Sequence, residues 1–76
     1  MTLQAILGQV PFCGRVTVSV WSADYEDELV RETKEVEPWH TIAHFSEEVN
    51  RYRLAPVKMV FTNGASDIVI ECKLKK

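Results

Sequence analysis

Residues 15–22 read Arg15-Val16-Thr17-Val18-Ser19-Val20-Trp21-Ser22. Val16, Val18 and Val20 alternate strictly with Thr17, Ser19 and Trp21. Successive side chains on an extended chain point to opposite faces, so β-branched residues at a period of two make a half-buried strand. One face of that strand is valine. The other is polar except for Trp21. The strand cannot stand alone: its backbone N–H and C=O groups need a neighbouring strand, and its valine face needs a cover.

The flanking sequence supplies candidates for both. Ser22 to Glu28 is polar and acidic and reads as a turn. Leu29 to Val36 fits two periods. Tyr25, Leu29, Thr33 and Val36 share a helix face, while Val30, Glu32, Lys34 and Val36 share a strand face. The strand reading is preferred because sequential strands usually pair. Upstream, Leu3, Ile6, Leu7 and Val10 recur at helical spacing, with Thr2 as N-cap and Pro11 and Gly14 ending the helix. Downstream, Pro38 suits a helix start, and Ile42, Phe45, Val49 and Tyr52 repeat at intervals of 3, 4 and 3 residues. His40, His44, Glu47 and Arg51 then lie on the opposite side, with Glu47 and Arg51 as an i, i+4 pair. Pro56 ends this second helix. Val57–Thr62 and Asp67–Leu74 form a hairpin around Asn63-Gly64, a dipeptide that tolerates positive φ, with Asn63–Ser66 as its loop.

The element order is α-β-β-α-β-β. The sequence predicts one α+β domain over residues 1–76, with the two hairpins joined into a four-stranded antiparallel sheet and both helices on one face. The face away from the helices is expected to carry Arg15, Thr17, Ser19 and Trp21 beside Lys58, Val60 and Thr62 and beside Val69, Glu71 and Lys73.

Composition narrows the function classes. The 76 residues are 46% hydrophobic and 26% charged, a globular rather than a disordered profile. A chain this short buries only about 60% of its unfolded surface, so nearly every apolar residue is needed for the core. The net charge of −2 argues against a nucleic-acid partner, which needs a basic surface. No apolar run reaches the roughly 18 residues of a membrane helix. With no recognisable leader sequence, a cytoplasmic location is expected, and Cys13 and Cys72 are expected as reduced thiols.

Three constellations could carry chemistry. His40 and His44 at i, i+4 have a spacing that zinc can use, with Glu37, Glu47, Glu48 or a distant cysteine as a third ligand. The segment lacks the glutamate of the H-E-x-x-H motif. The preferred reading is two solvated histidines on a polar helix face. Asp24, Glu26, Asp27 and Glu28 form an acidic cluster without the central glycine of a calcium loop. They are either a solvated turn or a surface offered to a basic groove. Trp21 is the third. A large aromatic residue on an uncovered face either packs beneath the Tyr25 loop or against Trp39, or meets a partner. Catalytic signals are sparse. Cys13 lacks an adjacent base, Ser19, Ser22, Ser46 and Ser66 have no G-x-S-x-G context, and three glycines cannot build a phosphate loop.

The opening Thr2-Leu3-Gln4-Ala5-Ile6-Leu7, the strand Arg15-Val16-Thr17-Val18, and the closing Val60-Phe61-Thr62-Asn63-Gly64 with Asp67-Ile68-Val69-Ile70-Glu71 resemble small proteins of phages and integrated mobile elements in Firmicutes-type bacteria. That resemblance implies a bacterial accessory protein that works by binding, and it brings no catalytic residues. The sequence thus predicts a non-enzymatic module acting through protein–protein contact. A homodimer is one form of it, built on the open sheet face or an exposed strand edge, with Trp21, Arg15, Asp24, Glu26, Asp27 and Glu28 as contact candidates. No cofactor and no small-molecule substrate are expected. The alternatives are a metal-binding protein using His40 and His44, and an acidic inhibitor of a bacterial enzyme.

Overall fold

The computed structural model describes residues 1–64 and 67–75. Helix α1 covers Leu3–Gln9, strand β1 Gly14–Trp21 and strand β2 Glu28–Val36. A short 3-10 turn at Ile42–His44 precedes helix α2 at Glu47–Arg51, and strands β3 at Val57–Asn63 and β4 at Asp67–Lys73 follow. The expected element order holds, and Leu29–Val36 is strand.

The sheet is mixed, not wholly antiparallel. Its order is β2-β1-β4-β3. β1 pairs antiparallel with β2 and parallel with β4, with Val18 beside Glu32 on one side and Ile70 on the other. β3 pairs antiparallel with β4 alone. The two hairpins form as their local sequences dictate, but they join through their inner strands. β1 and β4 are the most buried strands, and Val16, Val18, Val20, Ile70 and Cys72 are fully buried between them. Placing both at the centre leaves β2 and β3 as edges. The 37–56 segment must then cross the sheet from one edge to the other, and that crossing makes β1 and β4 parallel.

Both helices contribute to one core with the valine face of β1. Thr2 caps α1, its hydroxyl accepting from the Ala5 N–H at 3.3 Å. The Leu3 and Gln4 N–H groups, orphans at a helix start, donate to the Ala55 and Arg53 carbonyls at 2.9 Å each.

The second helix differs from the single long one that the sequence suggests. Phe45 and Ser46 are extended, and the helical run breaks there. Two N-caps compete with continuity: the Thr41 hydroxyl accepts from Ala43, and the Ser46 hydroxyl accepts from Val49. Phe45 and Val49 are buried all the same, and Ile42 and Tyr52 pack against the core. The 3-4-3 spacing reported the inward face correctly across the break. Two ion pairs occur among the described residues, Arg15–Asp67 at 3.6 Å and Glu28–Arg31 at 3.1 Å. The expected Glu47–Arg51 pair is not one of them.

A third correction concerns β3. An irregularity between Val57 and Met59 shifts the register, and Met59 then lies beside Glu71 and Phe61 beside Val69. Met59, Phe61 and Asn63 therefore share the open face with Thr17 and Ser19, and Lys58, Val60 and Thr62 do not. A bulge of one residue swaps the faces of everything after it. In the connecting loop, Gly64 has φ 75, while Ala65 and Ser66 lie outside the described residues, as does Lys76 of the basic tail.

Candidate functional site

The open face of the sheet gathers most of the residues singled out above. Thr17 and Ser19, though polar, are buried. The Thr17 and Thr33 hydroxyls share a hydrogen bond of 2.8 Å between β1 and β2. The Ser19 hydroxyl donates to the Glu28 carboxylate, which also accepts from the Arg31 guanidinium at 3.1 Å. Arg15, at the far end of β1, faces Asp67 across an exposed ion pair.

Trp21 sits at the other end of β1, beside Lys73 of β4. Tyr25 lies against it with ring centroids 6.2 Å apart, and the Lys73 ammonium lies 5.3 Å from the centre of the Tyr25 ring. Trp21 therefore packs under the Tyr25 loop and not against Trp39. The contact does not bury the pair: Trp21 is half-buried and Tyr25 is 38% exposed. The Trp21 indole Nε1 is buried with no acceptor among the described residues. Desolvation, and then the Glu71 carboxylate, hold the Tyr25 hydroxyl above its ordinary pKa.

The loop presenting Tyr25 is tightly specified. Tyr25 has φ 63, a left-handed conformation rare for a bulky residue. The Asp24 carboxylate accepts from the Ser22 hydroxyl at 2.6 Å and from the Glu26 N–H at 3.1 Å. The Ser22 hydroxyl accepts from the Asp27 N–H at 3.1 Å. Those bonds hold Asp24 below the usual carboxylate range. They also fix a backbone conformation that would otherwise cost on the order of 1–3 kcal/mol, and such over-determined strain clusters at functional positions. All four acids are exposed, and the carboxylates of Asp24 and Glu28 are engaged in hydrogen bonds within the fold.

His40 and His44 come together as a stacked pair. Their rings stack with centroids 4.4 Å apart, and Trp39 meets both edge-on at 4.3 and 5.3 Å. His40 Nδ1 accepts from the Glu37 N–H and His44 Nδ1 from the Thr41 N–H, each at 3.0 Å. A neutral imidazole that accepts at Nδ1 carries its proton on Nε2. Neither ring then has a lone pair free for a metal without giving up its backbone bond. Among the described residues, no three His, Cys, Asp or Glu side chains are grouped to hold one.

These bonds predict a pH response. Desolvation, then His44 and Lys34, push His40 below the ordinary imidazole value, against an opposing pull from Glu37. The unfolded chain, with His near 6.5, binds the proton more readily. The stabilisation is therefore complete above about pH 6.5 and is lost as pH falls through the folded-state value. Melting temperature is expected to fall along this limb, and Trp39 fluorescence to change with it. His40→Gln is expected to flatten both. An unchanged acid limb in that variant would show that the His40 bond does not matter.

Cys13 is exposed. Cys72 is buried and its thiol is pushed up to about 11 by burial and by Glu71, so it is unreactive near neutral pH. An open cleft of about 500 Å³ lies near the helix ends, with Tyr52, Leu54, Pro56, Arg51 and Lys75 in its walls. It contains none of the candidate residues. No helix among the described residues is long and apolar enough to cross a membrane.

No protein-family model matches the chain, and neither a curated protein nor a solved structure shows significant similarity to it.

Alternation along β1 made Trp21 legible in the sequence. The sequence offered the Tyr25 loop as one of two packing partners for Trp21, beside Trp39, and could not choose between them, because a left-handed tyrosine carries no residue signal of the kind that Gly or Asn would give.

Proposed function

We propose that the protein is a small non-enzymatic binding module that engages a protein partner through the open face of its sheet. The observation that carries this reading is the Trp21–Tyr25 pair, held by a strained turn on a face that neither helix covers. Met59 and Phe61 extend the apolar surface of that face, at 48% and 40% exposure. Glu71 and Lys73 lie between the two groups. Aromatic anchors within a rim of mixed charge suit a protein surface. A nucleic-acid strand would need a basic field that the net charge of −2 does not supply.

The metal reading loses support because both histidine acceptors are occupied. The acidic-inhibitor reading loses support because half of its carboxylates are tied into the fold.

The test compares proteins captured by the immobilised wild type with those captured by Trp21→Ala, Trp21→Glu and Trp39→Ala. Capture is expected to weaken at least tenfold with Trp21→Ala, which would reflect a loss of about 1.4 kcal/mol or more. It is expected to vanish with Trp21→Glu and to persist with Trp39→Ala, whose ring lies in the His40–His44 cluster. Equal capture by all four proteins would rule out the open face.

A further inference from the structure

The two edges of the sheet are unequally protected. In β2, five of nine residues are charged: Glu28, Arg31, Glu32, Lys34 and Glu35. Glu32 points to the helix side, where its carboxylate receives the Ser46 N–H at 3.3 Å. Charges, especially inward-pointing ones, keep an edge from pairing with other chains. β3 has one charge in seven residues, Lys58. Met59, Val60 and Phe61 are all at least 40% exposed, so both faces of this edge strand are apolar and open.

Only the start of that edge is covered. The Val57 N–H donates to the Met1 carbonyl at 2.8 Å, and Thr2 forms an isolated bridge with Pro56. Among the described residues nothing pairs with the outer edge from Lys58 to Thr62. This free stretch has Val60 at its centre.

We propose that β3 pairs antiparallel with β3 of a second copy, about a two-fold axis at Val60, to form a continuous eight-stranded sheet. The proposal rests on the reading of the chain as a protein-binding module and names one partner, but it uses the strand edge and not the Trp21 end of the face. Self-complementarity selects the second copy. In this register Val60 opposes Val60, Met59 opposes Phe61, and Lys58 opposes Thr62. Directly opposed side chains are the pairs that stabilise a sheet, and apolar pairs here meet apolar ones. The one charge meets a neutral hydroxyl. A parallel pairing would instead set Lys58 against Lys58, and an antiparallel register centred anywhere else leaves part of the free stretch unpaired. The two end residues of β3, Val57 under the Met1 strap and Asn63 before the turn, flank the same five residues in each copy, as an isologous contact requires. The two open faces become continuous across the axis, with Met59 and Phe61 of both copies in one patch.

Val60 is the residue to change, because it is exposed in the single chain and meets itself in the pair. Sedimentation velocity over a concentration series is expected to show a reversible dimer for the wild type. Val60→Glu and Val60→Lys, each confirmed folded by circular dichroism, are expected to be monomers at concentrations where the wild type is mostly dimer. Mixing the two variants is expected to restore the dimer, since opposite charges then meet at the axis. A wild type that stays monomeric throughout would overturn the proposal. So would dimers of the separate variants as strong as wild type, or a mixture that stays monomeric. None of these outcomes bears on capture through Trp21, which the Trp21→Glu variant reports separately.

Discussion

Ile70→Ala is expected to destabilise the protein by about 3 kcal/mol, within the 2–5 kcal/mol typical of a buried Ile truncated to Ala. Ile70 is fully buried on β4, beside Val18 on one side and Val60 on the other. Hydrogen-bonded ladders hold it on both sides, so neither neighbouring strand can move in to fill the space. The loss is large against a total of roughly 4–11 kcal/mol, the range that typical per-residue stability gives for a chain of this length. At about 4–8 °C per kcal/mol, the melting temperature is expected to fall by about 12–24 °C. Thr62→Ala, at an exposed position on β3, is expected to stay within about 0.5 kcal/mol of wild type. Urea unfolding followed by circular dichroism checks both, with the slope unchanged and only the midpoint moved. The comparison also tests the topology. A sheet ordered as the chain runs would put β4 at an edge, where Ile70 would have one neighbour and a milder loss. Equal losses for the two variants would be incompatible with a central β4.

That central position was the part of the fold least visible in the sequence. Period-two alternation located β1, β3 and β4, helical spacing located α1, and the hairpin preference resolved Leu29–Val36 as β2. Each of these depends on residues close together in the chain. How the two hairpins meet depends on which strands bury most apolar surface once the 37–56 segment crosses the sheet, and no local pattern records that. The reversed face of β3 has a similar cause. The stretch Val57 to Thr62 alternates cleanly in the sequence, but the irregularity before Met59 reassigns the faces. Met59 and Phe61 consequently move from the expected core to the open face, and the candidate site gains its second apolar group. Trp21 needed only the alternation of β1, and that strand is regular until its last residue.

Asn50 is expected to give the second large effect, and for a reason that helical spacing could not show. Its side-chain amide donates to the carbonyls of Ile42 at 2.8 Å, Ser46 at 3.0 Å and Phe45 at 3.2 Å. Two protons serve three acceptors, so at least one of the bonds is shared. The three carbonyls belong to the 3-10 turn, the break and the cap of α2. Asn50 thus fastens the two short helical pieces so that Phe45 and Val49 stay in one core. Asn50→Ala removes the donor and is expected to cost about 2 kcal/mol, since each bond contributes on the order of 1 kcal/mol and the site is partly open to water. Asn50→Asp is expected to cost more near neutral pH. It sets an ionised carboxylate, which can only accept, against three carbonyl oxygens. That repulsion raises the folded-state pKa of the new carboxyl above its unfolded value, so the folded chain binds the proton more readily. The added loss is therefore expected to shrink as pH falls through the raised value, where the protonated group can donate again. Thermal melts of the wild type and both variants at several pH values check this, each variant being compared with wild type at the same pH. Two variants that melt with the wild type would show that the break holds without Asn50. A gap between the variants that does not change with pH would show that the carboxyl does not face the carbonyls.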